Sequence, residues 1–273
     1  MVDVLEKFRI DGSVALVTGG GGLLGREFCK TLASAGAQVI LADLDQERAA
    51  DVLSALRDDQ PDIEFAHLDV TDPEACTQLV TQTKEKFGKI DILVNSAAMD
   101  PKFDREHAQD RSDDFESYPL SSWREALEVN LTGMFVITQA VARSMVAVGK
   151  GSIINICSTY GLVGPDQRIY QQANKPRRYK PAYYSTTKAG VLGFTRYLAS
   201  YYAGTRIRVN ALTPGGVYAD HDEEFVSAYS ARTMMGRMAE KDEMNGALLF
   251  LASGASSYMT GANLIVDGGW TAW

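Results

Sequence analysis

Cysteine is scarce in this chain of 273 residues: Cys29, Cys76 and Cys157 lie far apart and form no Cys-x-x-Cys pair. An odd, scattered set argues against a disulfide framework and fits a reducing compartment. Histidine is equally thin, and His67, His107 and His221 stand apart from one another and from the cysteines. That scatter lacks the ligand spacing of a structural zinc site, so no metal is expected. Positive charge is also in deficit, since 27 basic against 35 acidic residues leave a formal charge of −8. Binding nucleic acid or an anionic membrane non-specifically needs a basic surface, so neither partner is expected from the total. No run approaches the roughly 20 apolar residues of a spanning helix. The opening MVDVLEKFRIDGS mixes charged with apolar residues and does not read as a signal peptide. The expectation is a soluble, cytoplasmic protein.

What is present is an ordinary globular composition, 45% apolar and 23% charged, with 24 glycines. Short β-branched runs alternate with longer stretches of helical periodicity. Strands are expected at Val14–Thr18, Gln38–Ala42, Glu64–Leu68, Ile90–Asn95, Ser152–Ile156, Ile207–Leu212 and Asn263–Val266. Helices are expected at Gly25–Ala35, Gln46–Arg57, Pro73–Phe87, Trp123–Val148 and Tyr184–Tyr202. This alternation predicts an α/β fold, a doubly wound sheet of about seven parallel strands with helices on both faces. The strands are apolar on consecutive residues, as when both sheet faces are covered. The alternation never lapses, so residues 1–273 read as one domain. Two charged, weakly periodic stretches, 99–122 and 162–181, interrupt it as long insertions.

The first strand runs into Thr18-Gly19-Gly20-Gly21-Gly22-Leu23-Leu24-Gly25 and then a helix. Such a turn lets the backbone approach a pyrophosphate, which the N–H groups of the helix start can bind. The second strand ends in Ala42-Asp43-Leu44-Asp45, and Asp43 lies 18 residues beyond Gly25. A carboxylate there suits the adenosine ribose hydroxyls and repels a 2′-phosphate. No Arg or Lys stands at Gly20 or Leu44 to offset that repulsion, which favours NAD over NADP.

Tyr184 and Lys188, four residues apart, share one face of a helix. A phenol ordinarily titrates near pH ~10, and a neighbouring Lys⁺ and a cationic nicotinamide would favour its ionised form. Tyr183 can pair only with Thr187 and is the poorer candidate. Ser158 follows the Ser152–Ile156 strand, at the sheet edge where ligands bind in open α/β folds. Asn130 lies within a helical pattern, where an amide can serve the backbone or water.

In this order the motifs resemble the short-chain dehydrogenase/reductase family, from about Gly12 to Gly269. TGGGGLLG is similar to the family's T-G-x-x-x-G-x-G, with Thr18, Gly19 and Gly25 in register and Leu23 where a glycine is usual. His67-Leu68-Asp69-Val70 resembles the adenine segment, which implies Asp69 and Val70. Asn95-Ser96-Ala97-Ala98 resembles N-N-A-G, with Ala98 for the last glycine. Pro214, Gly215 and Val217 resemble the stretch beside the nicotinamide. The implied cofactor set is Gly19, Gly22, Leu23, Leu24, Gly25, Asp43, Leu44, Asp69, Val70, Asn95, Ser96, Ala97, Tyr184, Lys188, Pro214, Gly215 and Val217. The implied catalytic tetrad is Asn130, Ser158, Tyr184 and Lys188. Ser158 and Tyr184 stand 26 residues apart, about twice the common family spacing, and the 162–181 insertion supplies the excess. The ending GANLIVDGGWTAW and the PDQRIY segment resemble bacterial members linked to flagellin modification and surface-sugar synthesis.

The resemblance implies hydride exchange between NAD and a secondary alcohol or ketone. Tyr184 would be the general acid–base, Lys188 would lower its pKa, Ser158 would bind the substrate oxygen and Asn130 would support a water path. It also implies a homotetramer or homodimer, with the helices at Trp123–Val148 and Tyr184–Tyr202 between subunits. The insertion carries Arg168, Gln171, Gln172, Asn174, Lys175, Arg177, Arg178 and Lys180. It reads either as a binding segment for a polar or anionic substrate, through Arg168 beside Ser158 and Tyr184, or as a solvated loop or subunit contact. A sugar, sugar acid or sugar nucleotide is favoured over steroid or fatty-acyl substrates, because Gly216–Gly236 has few large apolar residues. Two alternatives stay open: a keto-acyl or other small-ketone reductase, and a non-catalytic NAD-binding regulator.

Overall fold

A computed structural model of the chain describes residues 3–56, 63–100, 114–171 and 178–273, without the side chains of residues 55 and 56. Seven strands form one sheet: β1 (Val14–Thr18), β2 (Gln38–Asp43), β3 (Ile63–His67), β4 (Ile92–Asn95), β5 (Lys150–Ile156), β6 (Arg206–Pro214) and β7 (Asn263–Val266). Their spatial order is β3-β2-β1-β4-β5-β6-β7, with every pairing parallel. The chain first winds outward from β1 to β3, then crosses back to β4 and winds the other way. That reversal opens a crevice beyond the ends of β1 and β4, where Thr18 pairs with Asn95.

The helices are α1 (Leu23–Ser34), α2 (Gln46–Leu56), α3 (Pro73–Phe87), α4 (Leu120–Leu127), α5 (Met134–Val148), α6 (Ala182–Tyr201), α7 (Glu223–Ser230) and α8 (Asn245–Ala252). Alternate strand residues feed opposite cores, as the two-residue period of a strand demands. Ala15, Val17, Ile92, Val94 and Ile154 pack with Phe28, Leu32, Leu248 and Leu251 on one face. Leu16, Leu93 and Ile153 pack with Leu79, Ile137, Val141 and Met145 on the other. Both faces are covered, which is why the strands carry apolar residues in succession.

The helix expected over Trp123–Val148 is broken by a π turn, Glu128–Gly133, between α4 and α5. The joined run Leu120–Val148 is long and apolar enough by length and composition to cross a membrane, contrary to the expectation that no run approaches that length. Half of its most apolar window is nevertheless buried, and Ile137, Val141 and Met145 are sealed in the core. Two helices were not foreseen. NGALLFLA of α8 is apolar on all sides and shows no stripe, because it is packed between neighbours. The start of α7 is fixed by the Asp222 carboxylate, which accepts from Phe225 N–H at 2.9 Å.

Candidate active site

The glycine turn is built for close approach. Gly19 holds φ 65°, and a Cβ on it would stand 2.8 Å from the backbone of Ala97. Gly25 faces the same turn, where a Cβ would overlap the Gly19 carbonyl oxygen. Gly22 caps α1 and offers no side chain to its first-turn N–H groups. Leu23 is a half-buried first helical residue, so a side chain is accommodated there. Asp43 accepts from Gly21 N–H at 2.8 Å and Asp45 N–H at 2.9 Å, which ties the end of β2 to the turn. Leu44, next to it, is exposed.

Thr18 Oγ1 receives Ser96 N–H and Ala97 N–H at 3.3 Å each, fixing the chain after β4. Asn95 Nδ2 donates to Thr138 Oγ1 and to Asn155 Oδ1, both at 2.8 Å, and Asn155 Nδ2 donates on to Thr195 Oγ1 at 2.9 Å. Asn95 Oδ1 is buried and has no partner. An orphaned acceptor at this edge, together with an uncapped helix start and tightly backed glycines, fits a dinucleotide. Asp69 closes a local turn on Thr71, and Val70 packs against Gly133. Gly215 donates to Val266 O at 2.9 Å, lies against Asp267 too closely for a Cβ, and leads to buried Val217.

The tetrad residues gather at the end of β5. Ser158 is buried and its hydroxyl accepts from Tyr160 N–H at 3.3 Å. Lys188 is buried, and its Nζ donates to Ile156 O at 2.9 Å and lies 5.8 Å from the Tyr184 ring centroid. Asn130 sits within the π turn, a local widening that often marks a functional position. Its Oδ1 accepts from Met99 N–H at 2.7 Å, and its Nδ2 donates to Met99 O at 3.3 Å and to Thr187 Oγ1 at 3.2 Å. The Asn130 amide therefore clamps the backbone of residue 99 through both its N–H and its C=O.

Burial governs the titration of the pair. It pushes Tyr184 well above the ordinary tyrosine value, Asp100 adds to the rise, and the Ser158 hydroxyl opposes it by hydrogen bonding. Burial also lowers Lys188. The lowering expected from Lys188 and a cationic nicotinamide together is thus set against a rise that the protein's own groups impose on the phenol. Tyr183 is buried with its ring 6.1 Å from that of Tyr118, inside the packing.

A second lysine, which the sequence did not single out from its neighbours, reaches the same phenol. Lys180 is 7% exposed, and its Nζ lies 2.7 Å from Asp100 Oδ1 and 3.7 Å above the Tyr184 ring centroid. The Gln167 side chain holds its backbone from both sides, at 3.0 Å to Lys180 O and 2.8 Å from Lys180 N–H. Arg168 is not among the groups gathered here: its side chain is 83% exposed and forks on Asp166. Asp166 also receives Arg232 Nε, joining the insertion to the end of α7. Gln172, Asn174, Lys175 and Arg177 lie outside the described residues.

An aromatic wall stands beside Tyr184. The Tyr160 ring is edge-on to Tyr184 at 6.4 Å and to Trp270 at 6.3 Å, and Trp270 stacks on Tyr229 at 4.3 Å. Phe225 and Tyr229 belong to the Gly216–Gly236 segment, so that segment supplies more large apolar surface than its composition suggested.

A family model described as enoyl-(acyl carrier protein) reductase matches residues 22–271. Galactitol 2-dehydrogenase (L-tagatose-forming) of Cereibacter sphaeroides is 38% identical, over 100% of both chains. A gluconate 5-dehydrogenase from Burkholderia cenocepacia, solved with NADP and tartrate, is 33% identical, with a TM-score of 0.85 over 99% of this chain and 100% of that one. A short chain dehydrogenase from Leptospira borgpetersenii with bound NAD+ is 32% identical, with a TM-score of 0.83 over 99% and 96%.

Proposed function

The chain belongs to the short-chain dehydrogenase/reductase family, and on that premise we propose that it is an NAD-dependent enzyme exchanging a hydride with the secondary alcohol carbon of a polar, sugar-like substrate. The observation that carries this reading is the convergence of Ser158, Tyr184 and Lys188 at the end of β5, beside a glycine turn shaped for a dinucleotide. Bound nicotinamide supplies the hydride acceptor or donor. Ser158 hydrogen-bonds the substrate oxygen, and Tyr184 takes its proton during oxidation and returns it during reduction. Lys188, anchored on Ile156 O, holds positive charge near the phenol and so favours its ionised form when the proton leaves. Asn130 keeps residues 99 and 100 in register with the site.

The Asp43 carboxylate, held against the glycine turn, supports NAD, because a 2′-phosphate placed there would meet its charge. Among the similar structures two hold NADP and one NAD+, and the Asp43 carboxylate is the feature of this chain that favours NAD. Galactitol and gluconate in the names of similar proteins support a polyol or sugar-acid substrate. A homotetramer or homodimer is supported by Phe135, Val146, Tyr197 and Tyr201, large apolar residues left exposed on α5 and α6. A cytoplasmic location accords with the three free cysteines.

The test follows absorbance at 340 nm with NAD+ and a panel of polyols, aldonates and secondary alcohols. Turnover that falls by about 10²–10⁴-fold in Tyr184→Phe supports the assignment. Retention of more than about a tenth of wild-type turnover in that variant removes Tyr184 from the role.

A further inference from the structure

The 162–181 insertion places an ammonium group where the reaction as described has no need of one. Lys180 is 7% exposed, yet it stands over the ring of the catalytic tyrosine with its charge paired to Asp100. Burying a charge is costly unless it is paired and hydrogen-bonded, and such a pair is weak support for stability in itself. Three independent devices hold this pair in place. Gln167 grips the Lys180 backbone, Asn130 grips Met99 next to Asp100, and the Tyr184 ring faces the ammonium as a cation–π partner.

We propose that Lys180 and Asp100 form the subsite for the hydroxyl next to the reacting carbon, and that the substrate is a neutral vicinal polyol rather than an aldonate. The inference rests on the dehydrogenase reading above and narrows its substrate class. An ammonium has three donors and no acceptor, while a carboxylate only accepts. A hydroxyl both donates and accepts, so it satisfies both members of the pair at once. A substrate carboxylate would satisfy Lys180 and be repelled by Asp100. Of the other described cations, Arg168 and Arg232 both lie on Asp166, while Lys188 is bound to Ile156 O.

The full chain with NAD+ is assayed on two pairs, trans-cyclohexane-1,2-diol against cyclohexanol and galactitol against galactonate. Wild type is expected to favour the diol over the mono-alcohol in kcat/KM by about 10–150-fold, the range of a hydrogen bond to a charged group. Lys180→Met and Asp100→Asn should each bring that ratio towards one, chiefly through KM of the diol. Asp100→Asn should also raise galactonate relative to galactitol, because the remaining ammonium then attracts a carboxylate unopposed. A Lys180 effect exerted only on the proton affinity of Tyr184 would change both alcohols alike and leave the ratio intact. NADH binding by fluorescence checks that each variant is folded. Gln167→Leu, which frees the Lys180 backbone without touching either charge, should lower the ratio in the same direction. A ratio preserved in Asp100→Asn and Gln167→Leu overturns the subsite, as does a wild-type preference for galactonate. Absence of turnover on every alcohol, with NADH bound, overturns the dehydrogenase reading itself.

Discussion

Replacing Gly25 with alanine should weaken the fold and cofactor binding together, although the same change in an open helix stabilises. In a helix interior, alanine is favoured over glycine by up to about 1 kcal/mol. At Gly25 the added methyl would overlap the Gly19 carbonyl oxygen and stand 2.8 Å from Gly20 Cα. The turn cannot retreat, because Gly19 is backed by Ala97 and Gly20 by the side chains of Leu41 and Cys29. Overpacking of this kind costs about 1–3 kcal/mol, which exceeds the helical gain. A net loss of up to about 2 kcal/mol corresponds to a Tm several degrees lower, at about 2–4 °C per kcal/mol for a chain somewhat shorter than this one. Displacing the start of α1 should also cost at least one N–H bond to a charged pyrophosphate, about 10–150-fold in Kd for NADH. Fluorescence titration with NADH and thermal unfolding measure the two effects. Gly246→Ala in the first turn of α8 is the matched control, since nothing lies within 4 Å of its Cβ position. It should keep Kd and raise Tm slightly. A Gly25→Ala variant with raised Tm and unchanged Kd would refute the packing argument.

Asn155→Leu should cost about 2–4 kcal/mol, because it deletes two buried hydrogen bonds and strands an N–H of Asn95 at the cofactor edge; a loss below about 1 kcal/mol in denaturant unfolding would show that the network is not coupled. Asp43→Asn should reduce the preference for NAD+ over NADP+ by about tenfold or more, a charge effect of about 1.4 kcal/mol read from kcat/KM with each cofactor. An unchanged preference would place the discrimination elsewhere. For the pH profile, burial raises Tyr184, so the free phenol carries its proton at neutrality. Oxidation, which needs it as base, should climb with rising pH, while reduction, which needs it protonated, should stay level through neutrality and decline only in alkali. Initial rates in both directions test this, and a flat oxidation profile from about pH 6 to 10 would contradict the assignment.

The parts of the site that local chemistry dictates were legible in the sequence. Strand, glycine turn, helix and Asp43 occur in an order that one physical task explains, and Tyr184 and Lys188 are joined by helical spacing. Boundaries shifted where tertiary contacts intervened: β4 starts at Ile92 rather than Ile90, because the Asp91 carboxylate turns to receive Val14 N–H. α8 escaped notice because NGALLFLA is apolar all round and has no polar face to mark its period. The π turn at Glu128–Gly133 was illegible, since one looser turn barely alters an apolar pattern. Lys180 was hidden for another reason. In composition it is one cation among several in a basic loop, and only the fold separates it, buried on Tyr184, from Arg168, which is in solvent on Asp166.

That separation changes what the insertion can be said to recognise. Counted along the chain, its cations suggest an anionic ligand; placed in space, Lys180 and Arg168 are each matched by a carboxylate, Asp100 and Asp166. Alongside the Lys188 ammonium, the neighbourhood of Tyr184 therefore presents a donor and an acceptor side by side at Lys180 and Asp100. The aromatic wall of Tyr160, Tyr229 and Trp270 supplies the complementary surface, since polyols and cyclic alcohols expose C–H faces that pack on rings while their hydroxyls need polar partners. The Asn130 clamp grips Met99, one residue before Asp100, and also reaches Thr187 on α6, the helix of Tyr184 and Lys188. A change at Asn130 should therefore disturb the site through Asp100 and Lys180 as well as through Thr187, its other hydrogen-bond partner.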